Sequence, residues 1–340
     1  MSKKKYTSIL DRILFVLNSV AAIVLLFSYL LPYISPIKAP SLSILSLFVP
    51  LLFIINLGFL IFWSVRLKKY FLLSAVSILL GFGYISSIYK FSGKDTMQQG
   101  DLSLMSYNVK MFNHYHWNED ESLAEDTYNF ITEQQPDVLA LQEFFDNTEI
   151  SFQYPHEYIK TKSKTNIFGL AIYSQYPIVN SGSLDLKDSA NNIIFADIVK
   201  GQDTIRIYNL HLESMRLNPE KENFGEENSD RLFKRIKDAF QKQGYQAEKL
   251  LEHQENWKGK SVLCGDFNNT AFSWLYKQLA SGRQDAFEEA GKGTGRTFDY
   301  KYPLRIDFIL PDENFVVNYF ETFDVPYSDH FPILARLEVE

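Results

Sequence analysis

The sequence predicts an α/β protein in two parts: about three N-terminal membrane-spanning helices, then one strand-rich α/β domain. Three observations carry that expectation. Apolar runs without a single charge occupy 13–31, 42–65 and 71–89, each near the roughly 20 residues that a bilayer-crossing helix needs. From 101 onward, short apolar or alternating runs outnumber helical patterns, which suits packed sheets better than a doubly wound parallel sheet. Several of those runs also stop abruptly on acids, amides or histidines.

The chain has 340 residues, more than one small domain requires. The first run follows Asp11 and Arg12, lacks a small-residue cleavage site and precedes two more runs, so a cleaved signal peptide does not fit. Lys3, Lys4, Lys5 and Arg12 precede the first run, Arg66, Lys68 and Lys69 separate the second from the third, and only Lys38 lies between the first and second. This asymmetry predicts a cytoplasmic N-terminus and a cytoplasmic 66–70 loop, with everything after the third span outside the cytoplasm, on a cell (inner) membrane. Tyr29, Tyr33, Trp63, Tyr70, Tyr84 and Tyr89 fall near span ends, as interfacial aromatics do. No charge lies within a run, so the spans read as an anchor rather than a transport path.

Residues 1–90 hold nine Lys/Arg against one acid, so with the whole chain at −7, residues 91–340 carry −15. So acidic a domain is not built to grip polyanions through a broad basic surface. Cys264 is the one cysteine; no intramolecular disulfide can form, and its apolar neighbours place it in a packed strand.

The polar stretch 91–100 reads as a linker, and 101–340 as a single domain. Its elements follow in order. A strand over 102–109 delivers Asn108, and a polar loop with His114, His116 and Trp117 comes next. A helix is expected over 119–133, ending before Pro136. The run 137–143 is a buried strand ending in Gln142 and Glu143. Strands follow over 169–174, 193–199 and 204–210, the last running into His211. Leu232, Phe233, Ile236, Phe240, Ala247, Leu250 and Leu251 form the apolar face of a helix over 229–254, weakened by Gly244. The strand 261–266 ends at Gly265 and releases Asp266 and Asn268, two positions apart and therefore on one side of extended chain; an Asx turn closing the strand explains the same pair. A short helix over 271–279 precedes 306–310, an apolar strand carrying Asp307, where a carboxylate needs a partner. After a strand over 315–323, the last strand begins with Asp329 and His330.

Acids, amides and two histidines at successive strand ends suit Mg²⁺, Mn²⁺ or Ca²⁺ better than structural zinc. No Ser-His-Asp arrangement or phosphate-cradling glycine loop competes. In order and spacing, SYNV, LQE, NLHLE, GDFN, RIDFI and SDHFP resemble the motifs of the endonuclease/exonuclease/phosphatase superfamily, across about 101–340. The anchored form is similar to bacterial members with an N-terminal hydrophobic region.

The resemblance implies a DNase I-like four-layer sandwich of two mixed β-sheets flanked by helices. It implies a metal-dependent phosphoesterase that attacks a phosphodiester, or a phosphomonoester, with activated water. Nucleic acids and phospholipid, sphingomyelin or phosphoinositide headgroups are alternative substrates, and a membrane-anchored non-catalytic binding module is an alternative of another class. Glu143 would be the principal metal ligand, with Asn108 beside it and Asp329 supporting. Asp266 would orient and deprotonate the water, and Asn268 would position water or phosphate. His211 would donate to a non-bridging phosphate oxygen; His330, held by Asp307, would do likewise. Arg305 reads equally as a cation near the phosphate or as a surface strand residue. Gly265 is expected to let backbone and side chains approach the phosphate. No obligate protein partner is implied.

Overall fold

The structure is a computed structural model describing residues 9–146, 150–163, 167–216 and 226–340. Lys3, Lys4 and Lys5, used above for orientation, lie outside the described residues.

The N-terminal part comprises α1 (Ile9–Ser28), a short α2 (Pro40–Ser43), α3 (Val49–Val65), α4 (Phe71–Leu80) and α5 (Ile85–Ile88). Among the described residues, two stretches are long and apolar enough to cross a membrane, Ile9–Tyr33 and Pro40–Val65. The third differs from the expected straight span: 71–80 and 82–88 are bent by 64° at their junction. The stretch counts as a third span only if the bent pair is taken as one. Asn18, Asn56 and Ser74 are fully buried between helices, where Ser74 Oγ donates to Asn18 Oδ1 at 2.6 Å and Asn56 Nδ2 donates to the Ala21 carbonyl at 3.2 Å. Asp11 pairs with Arg66 at 2.5 Å. That bond sets the start of α1 beside the end of α3, an antiparallel hairpin.

The remainder folds into two mixed sheets. One is ordered β10-β11-β1-β2-β4-β3 and the other β5-β6-β7-β8-β9. The strands are β1 (Leu102–Asn108), β2 (Val138–Phe145), β3 (His156–Thr161), β4 (Phe168–Ser174), β5 (Ile178–Ser183), β6 (Ile193–Lys200), β7 (Asp203–His211), β8 (Lys260–Asp266), β9 (Asp307–Pro311), β10 (Phe315–Thr322) and β11 (Ile333–Val339). β1 runs parallel to β2 and β7 parallel to β8. The helices are α6 (Leu123–Gln134), α7 (Glu226–Glu255), α8 (Trp274–Leu279) and α9 (Ala286–Ala290).

Alternation along each strand divides the core. Leu102, Leu104, Val138 and Ala140 meet Ile205, Ile207, Val262 and Cys264 between the sheets. Met105, Tyr107, Leu139 and Leu141 face outward onto Phe130 and Ile131 of α6. Tyr208, Leu210 and Leu263 face the other way, onto Ala247 and Leu250 of α7. The result is four layers, helix–sheet–sheet–helix, as the resemblance implied.

The strands absent from the sequence reading are β3 and β5, both at sheet edges. Their residues are mostly half-buried or exposed, so neither carries the apolar alternation that marks a core strand. Gly244 has a reason that helix propensity hides. A Cβ there would stand 2.7 Å from Ile37 Cγ1, so the glycine lets the 34–48 connection lie against α7. The 91–100 stretch is not free either: Lys94 Nζ donates to the Val317 carbonyl at 2.7 Å, and Thr96 N–H donates to the Asn318 carbonyl at 3.0 Å.

Candidate active site

The period of two that fills the core also aims the polar strand ends. On β1, residues 102, 104, 106 and 108 share the inter-sheet face, so Asn108 enters the crevice between the sheets. The same parity brings in His211 from β7 and Asp266 from β8. β9 runs antiparallel to β8, with Asp307 directly opposite Asp266. Asn108, His211, Asp266, Asn268, Asp307 and His330 are all buried there.

Glu143 arrives by another route. Parity would send it outward with Leu139 and Leu141. A bulge against β4 between Leu141 and Phe144, with φ of +48° at Glu143, turns it inward instead. Glu143 Oε1 accepts from Asn108 Nδ2 at 3.4 Å and lies 3.8 Å from His211 Nε2. Its carboxyl stays 31% exposed while protein surrounds it. Burial, and then the Asp329 charge, push its pKa up.

Asp266 is the most connected group. It lies 3.1 Å from Asn108 Nδ2, 3.6 Å from His211 Nε2 and 3.7 Å from His330 Nε2. Burial pushes its carboxyl well above the usual range, and Asp307 adds to this, while His330 opposes it. Asn268 N–H and Nδ2 both donate to Asp266, at 2.8 and 3.0 Å. The Asx turn and the convergence read from the sequence are thus one arrangement. Asn268 reaches Asp266 not through extended chain but through a left-handed residue, φ +50°. Its Nδ2 also binds the Leu212 carbonyl at 3.0 Å, so it braces the carboxylate.

His330 Nδ1 lies 3.0 Å from Asp307 Oδ2. Burial alone would lower its pKa, but Asp307 and Asp266 outweigh that and raise it to about 10. His330 is therefore a cation at neutral pH. His211 is its opposite: burial, then the His330 charge, lower its pKa to about 3, so it is neutral. Its Nε2 is buried without a hydrogen-bond partner among the described residues. A buried orphan of this kind points to something absent from the protein itself.

Asp329 reaches the same mouth but is taken by Lys110, 2.8 Å from its Oδ2. Lys110 N–H also donates to Asn108 Oδ1 at 3.1 Å. One residue thereby holds two of the oxygen donors assigned above to a metal. Nothing in the sequence pointed to Lys110, because its place depends on strained backbone. Lys110, Met111, Phe112 and Asn113 all have positive φ, between 41° and 61°, at a cost of roughly 1–2 kcal/mol each. Asn113 Nδ2 compensates by donating to the Asn118 and Asp120 carbonyls.

Two readings are corrected here. Arg305 is neither at the phosphate side nor on the surface. It is buried, with Nη1 2.6 Å from Asp285 Oδ2 and its guanidinium over Phe287 and Phe308. Gly265 serves the sheet rather than a ligand: with φ +129°, its Cβ would stand 2.1 Å from the Leu210 carbonyl oxygen on β7. Gly265→Ala is expected to destabilise the fold by roughly 3 kcal/mol or more, adding backbone strain to overpacking. Thermal melting would read this, and an unchanged midpoint would refute it.

Other supports were missed. Gln142 Nε2 donates to Asn209 Oδ1 at 2.7 Å, and Asn209 Nδ2 binds the Leu141 and Ala171 carbonyls, tying the two sheets under the site. An amide at the inward parity of an apolar strand was the available signal. Thr297 Oγ1 accepts from Asp307 N–H at 3.1 Å, and Ser328 Oγ donates to the Asn108 carbonyl at 2.8 Å; neither stands out in sequence.

The donor set fits a divalent cation. Glu143, Asp266, Asp307 and Asp329 bring four acids against the cations His330 and Lys110, an excess of negative charge that a hard cation would offset. Asp266, Asp307 and His330 offer ligand atoms within 4.8 Å of one another. His330 Nδ1 is already engaged by Asp307, which leaves its Nε2 to face Asp266.

A family model described as the Endonuclease/Exonuclease/phosphatase family matches residues 105–330. A second, described only as a domain of unknown function, matches 11–88. Solved structures share the fold. A humanized D. rerio TDP2 carrying 14 mutations aligns at a TM-score of 0.54 and 16% identity, covering 71% of this chain and 100% of its own. An endonuclease/exonuclease/phosphatase from Bacteroides vulgatus aligns at 0.52 and 20%, covering 71% and 100%. The human Nocturnin catalytic domain with bound sulfate anion aligns at 0.52 and 18%, covering 74% and 98%. No curated protein matches the sequence. The chain belongs to the endonuclease/exonuclease/phosphatase family of phosphoester hydrolases.

Proposed function

We propose that the chain is a membrane-anchored, divalent-cation-dependent phosphoesterase that cleaves a phosphodiester by in-line attack of water. The observation that carries this is the convergence of Glu143, Asp266, neutral His211 and the Asp307–His330 pair on one crevice.

Glu143 would hold the cation, with Asn108 and Asp329 joining once Lys110 releases them. Bound there, the cation would offset phosphate charge and favour the more highly charged transition state. The protein groups do the rest. Asp266, its charged form disfavoured by burial, accepts the proton of the attacking water, and Asn268 fixes its carboxylate. His330, a cation oriented by Asp307, donates from Nε2 to a phosphate oxygen. His211 Nε2, in the tautomer that carries its proton there, donates to a second; both stabilise charge that grows in the transition state. The purified protein is expected to hydrolyse bis-p-nitrophenyl phosphate with Mg²⁺ or Mn²⁺ and to stop with EDTA. Hydrolysis unaffected by EDTA, or none at all, refutes the reading.

For localisation, the reading is an anchor spanning 1–90, a connecting 91–100 and a catalytic unit over 101–340 outside the cytoplasm. The packing supports it. Phe272, which follows the site loop, buries against Leu25, Val49 and Phe53, at the end of the α1–α3 hairpin opposite Arg66. A C-terminal alkaline phosphatase fusion is expected to be active and a green fluorescent protein fusion dark; the reverse places the domain in the cytoplasm.

A further inference from the structure

The loop that joins β8 to α8 leaves the candidate active site at Asn268 and reaches the N-terminal helices within four residues. Its side chains divide on the way. Ala271 turns into the catalytic domain's own core, beside Phe267 and Leu275. Gln243 of α7 holds the start of the loop: its Nε2 donates to the Asn268 carbonyl at 3.1 Å, and its Oε1 accepts from Asn269 Nδ2 at 2.7 Å. Thr270 and Phe272 turn the other way, and both end on the anchor.

Phe272 is 4% exposed. Leu25 of α1 and Val49 and Phe53 of α3 bury it, and the Tyr84 ring lies 5.8 Å from its own. Apart from Phe272, every described member of that cluster belongs to residues 25–88. Thr270 is buried too, and its hydroxyl donates to the carbonyl of Ser46 at 3.2 Å, in the connection that leads into α3. A second contact fixes the seam, where Ser86 and Ser87 of α5 both donate to Glu288 on α9. The anchor therefore grips the domain on both sides of the site, on the loop that follows Asn268 and on the helix that precedes Asp307.

The consequence for the site runs through Asn268. Its backbone N–H donates to Asp266 Oδ1 at 2.8 Å from a left-handed residue, φ +50°. A backbone donor cannot be re-aimed by a side-chain rotation, so any shift of the loop moves it relative to the carboxylate. Gln243 and the core under Ala271 restrain the loop from the domain's side. The opposite side is restrained by residues of the N-terminal helices.

We propose that the anchor is part of the catalytic framework: Thr270 and Phe272 are positioning residues that, seated on the N-terminal helices, hold Asn268 against Asp266. The proposal rests on the phosphoesterase reading, and adds that packing among the anchor helices aligns the base of that reaction.

The test uses the full chain in phosphatidylcholine nanodiscs and bis-p-nitrophenyl phosphate, a soluble diester, so that delivery from the membrane plays no part. Thr270→Val keeps the size and removes the donor, and is expected to lower kcat about tenfold, the size of one lost hydrogen bond. Phe272→Ala empties the seat and is expected to lower it about 100-fold, as a misplacement near 1 Å does. Phe53→Ala, changed only within the anchor, should lower kcat about tenfold. KM and the Mn²⁺ affinity read by titration calorimetry should stay parental, because His211, His330 and Glu143 come from other strands. Thr270→Ser and Phe272→Leu, which return the hydroxyl and most of the apolar fill, should restore kcat. Circular dichroism checks folding, and Thr270→Val with Phe53→Ala carries the test if Phe272→Ala does not fold. Parental kcat in both Thr270→Val and Phe53→Ala overturns the proposal. So does a loss in which KM and Mn²⁺ affinity move with kcat, or one that Thr270→Ser shares, since either marks a general loosening. An inactive parent overturns the phosphoesterase reading and the proposal together, whereas an active parent with unaffected variants overturns the proposal alone.

Discussion

Asp266→Asn is expected to lower kcat by about 10⁴-fold, the upper range for losing a positioned general base. Asp266 is buried, opposite Asp307 and within 3.7 Å of His330 Nε2 and 3.6 Å of His211 Nε2. No other carboxylate among the described residues reaches both imidazoles at these distances. Burial holds its charged form high in free energy, which is what makes it a willing proton acceptor. Asparagine keeps the size but turns one acceptor into a donor facing Asn108 Nδ2 and Asn268 Nδ2, a cost of about 1–3 kcal/mol partly offset by removing a buried charge. The fold should therefore survive, as circular dichroism would show, while hydrolysis of bis-p-nitrophenyl phosphate collapses. A variant with near-parental kcat would move the base elsewhere.

Glu143→Gln separates the cation from the base. Outer partners of metal ligands typically cost 10–100-fold in affinity, so a direct ligand is expected to cost about 100-fold or more. The apparent Mn²⁺ affinity, read by titration calorimetry and by the Mn²⁺ dependence of rate, should weaken by that factor in Glu143→Gln and stay close to parental in Asp266→Asn. Glutamine occupies the same backbone, and the φ of +48° is set by the bulge rather than by the side chain. Removing the negative charge also relieves repulsion from Asp329, so no loss of stability is expected. Equal metal affinity in Glu143→Gln and parent would take Glu143 out of the cation site.

Much of the site was legible because its logic is local. Asn108, His211 and Asp266 terminate strands whose alternation fixes which face each side chain takes, and that alternation is visible in the chain. The Asp307–His330 contact was expected only through the resemblance. Its geometry is two bonds of 3.0 and 3.2 Å between residues 23 apart. Lys110 was not legible, since a left-handed run over Lys–Met–Phe–Asn contradicts every local preference and survives only on the contacts of Asn113 and Phe112. Arg305 was misplaced because its partners, Asp285 and Glu288, cap and lie on α9, a five-residue helix too short to show a period.

By itself the sequence determined three things: the apolar stretches, a strand-rich domain, and the set of polar residues delivered to its strand ends; the two packed sheets came through the resemblance. Each of the three is written in periodicity or in uncharged length, which depend on neighbours along the chain. Tertiary structure alone decided which way Glu143 points, what holds Asn108 and Asp329, why position 265 must be glycine, and that the third apolar stretch bends by 64°. Those outcomes depend on a bulge against β4, on Lys110, on the β7 backbone and on the contact of α5 with Glu288. Apart from the Lys110 N–H bond to Asn108, which local left-handed backbone sets, these are meetings of segments far apart in sequence, and no local pattern encodes them.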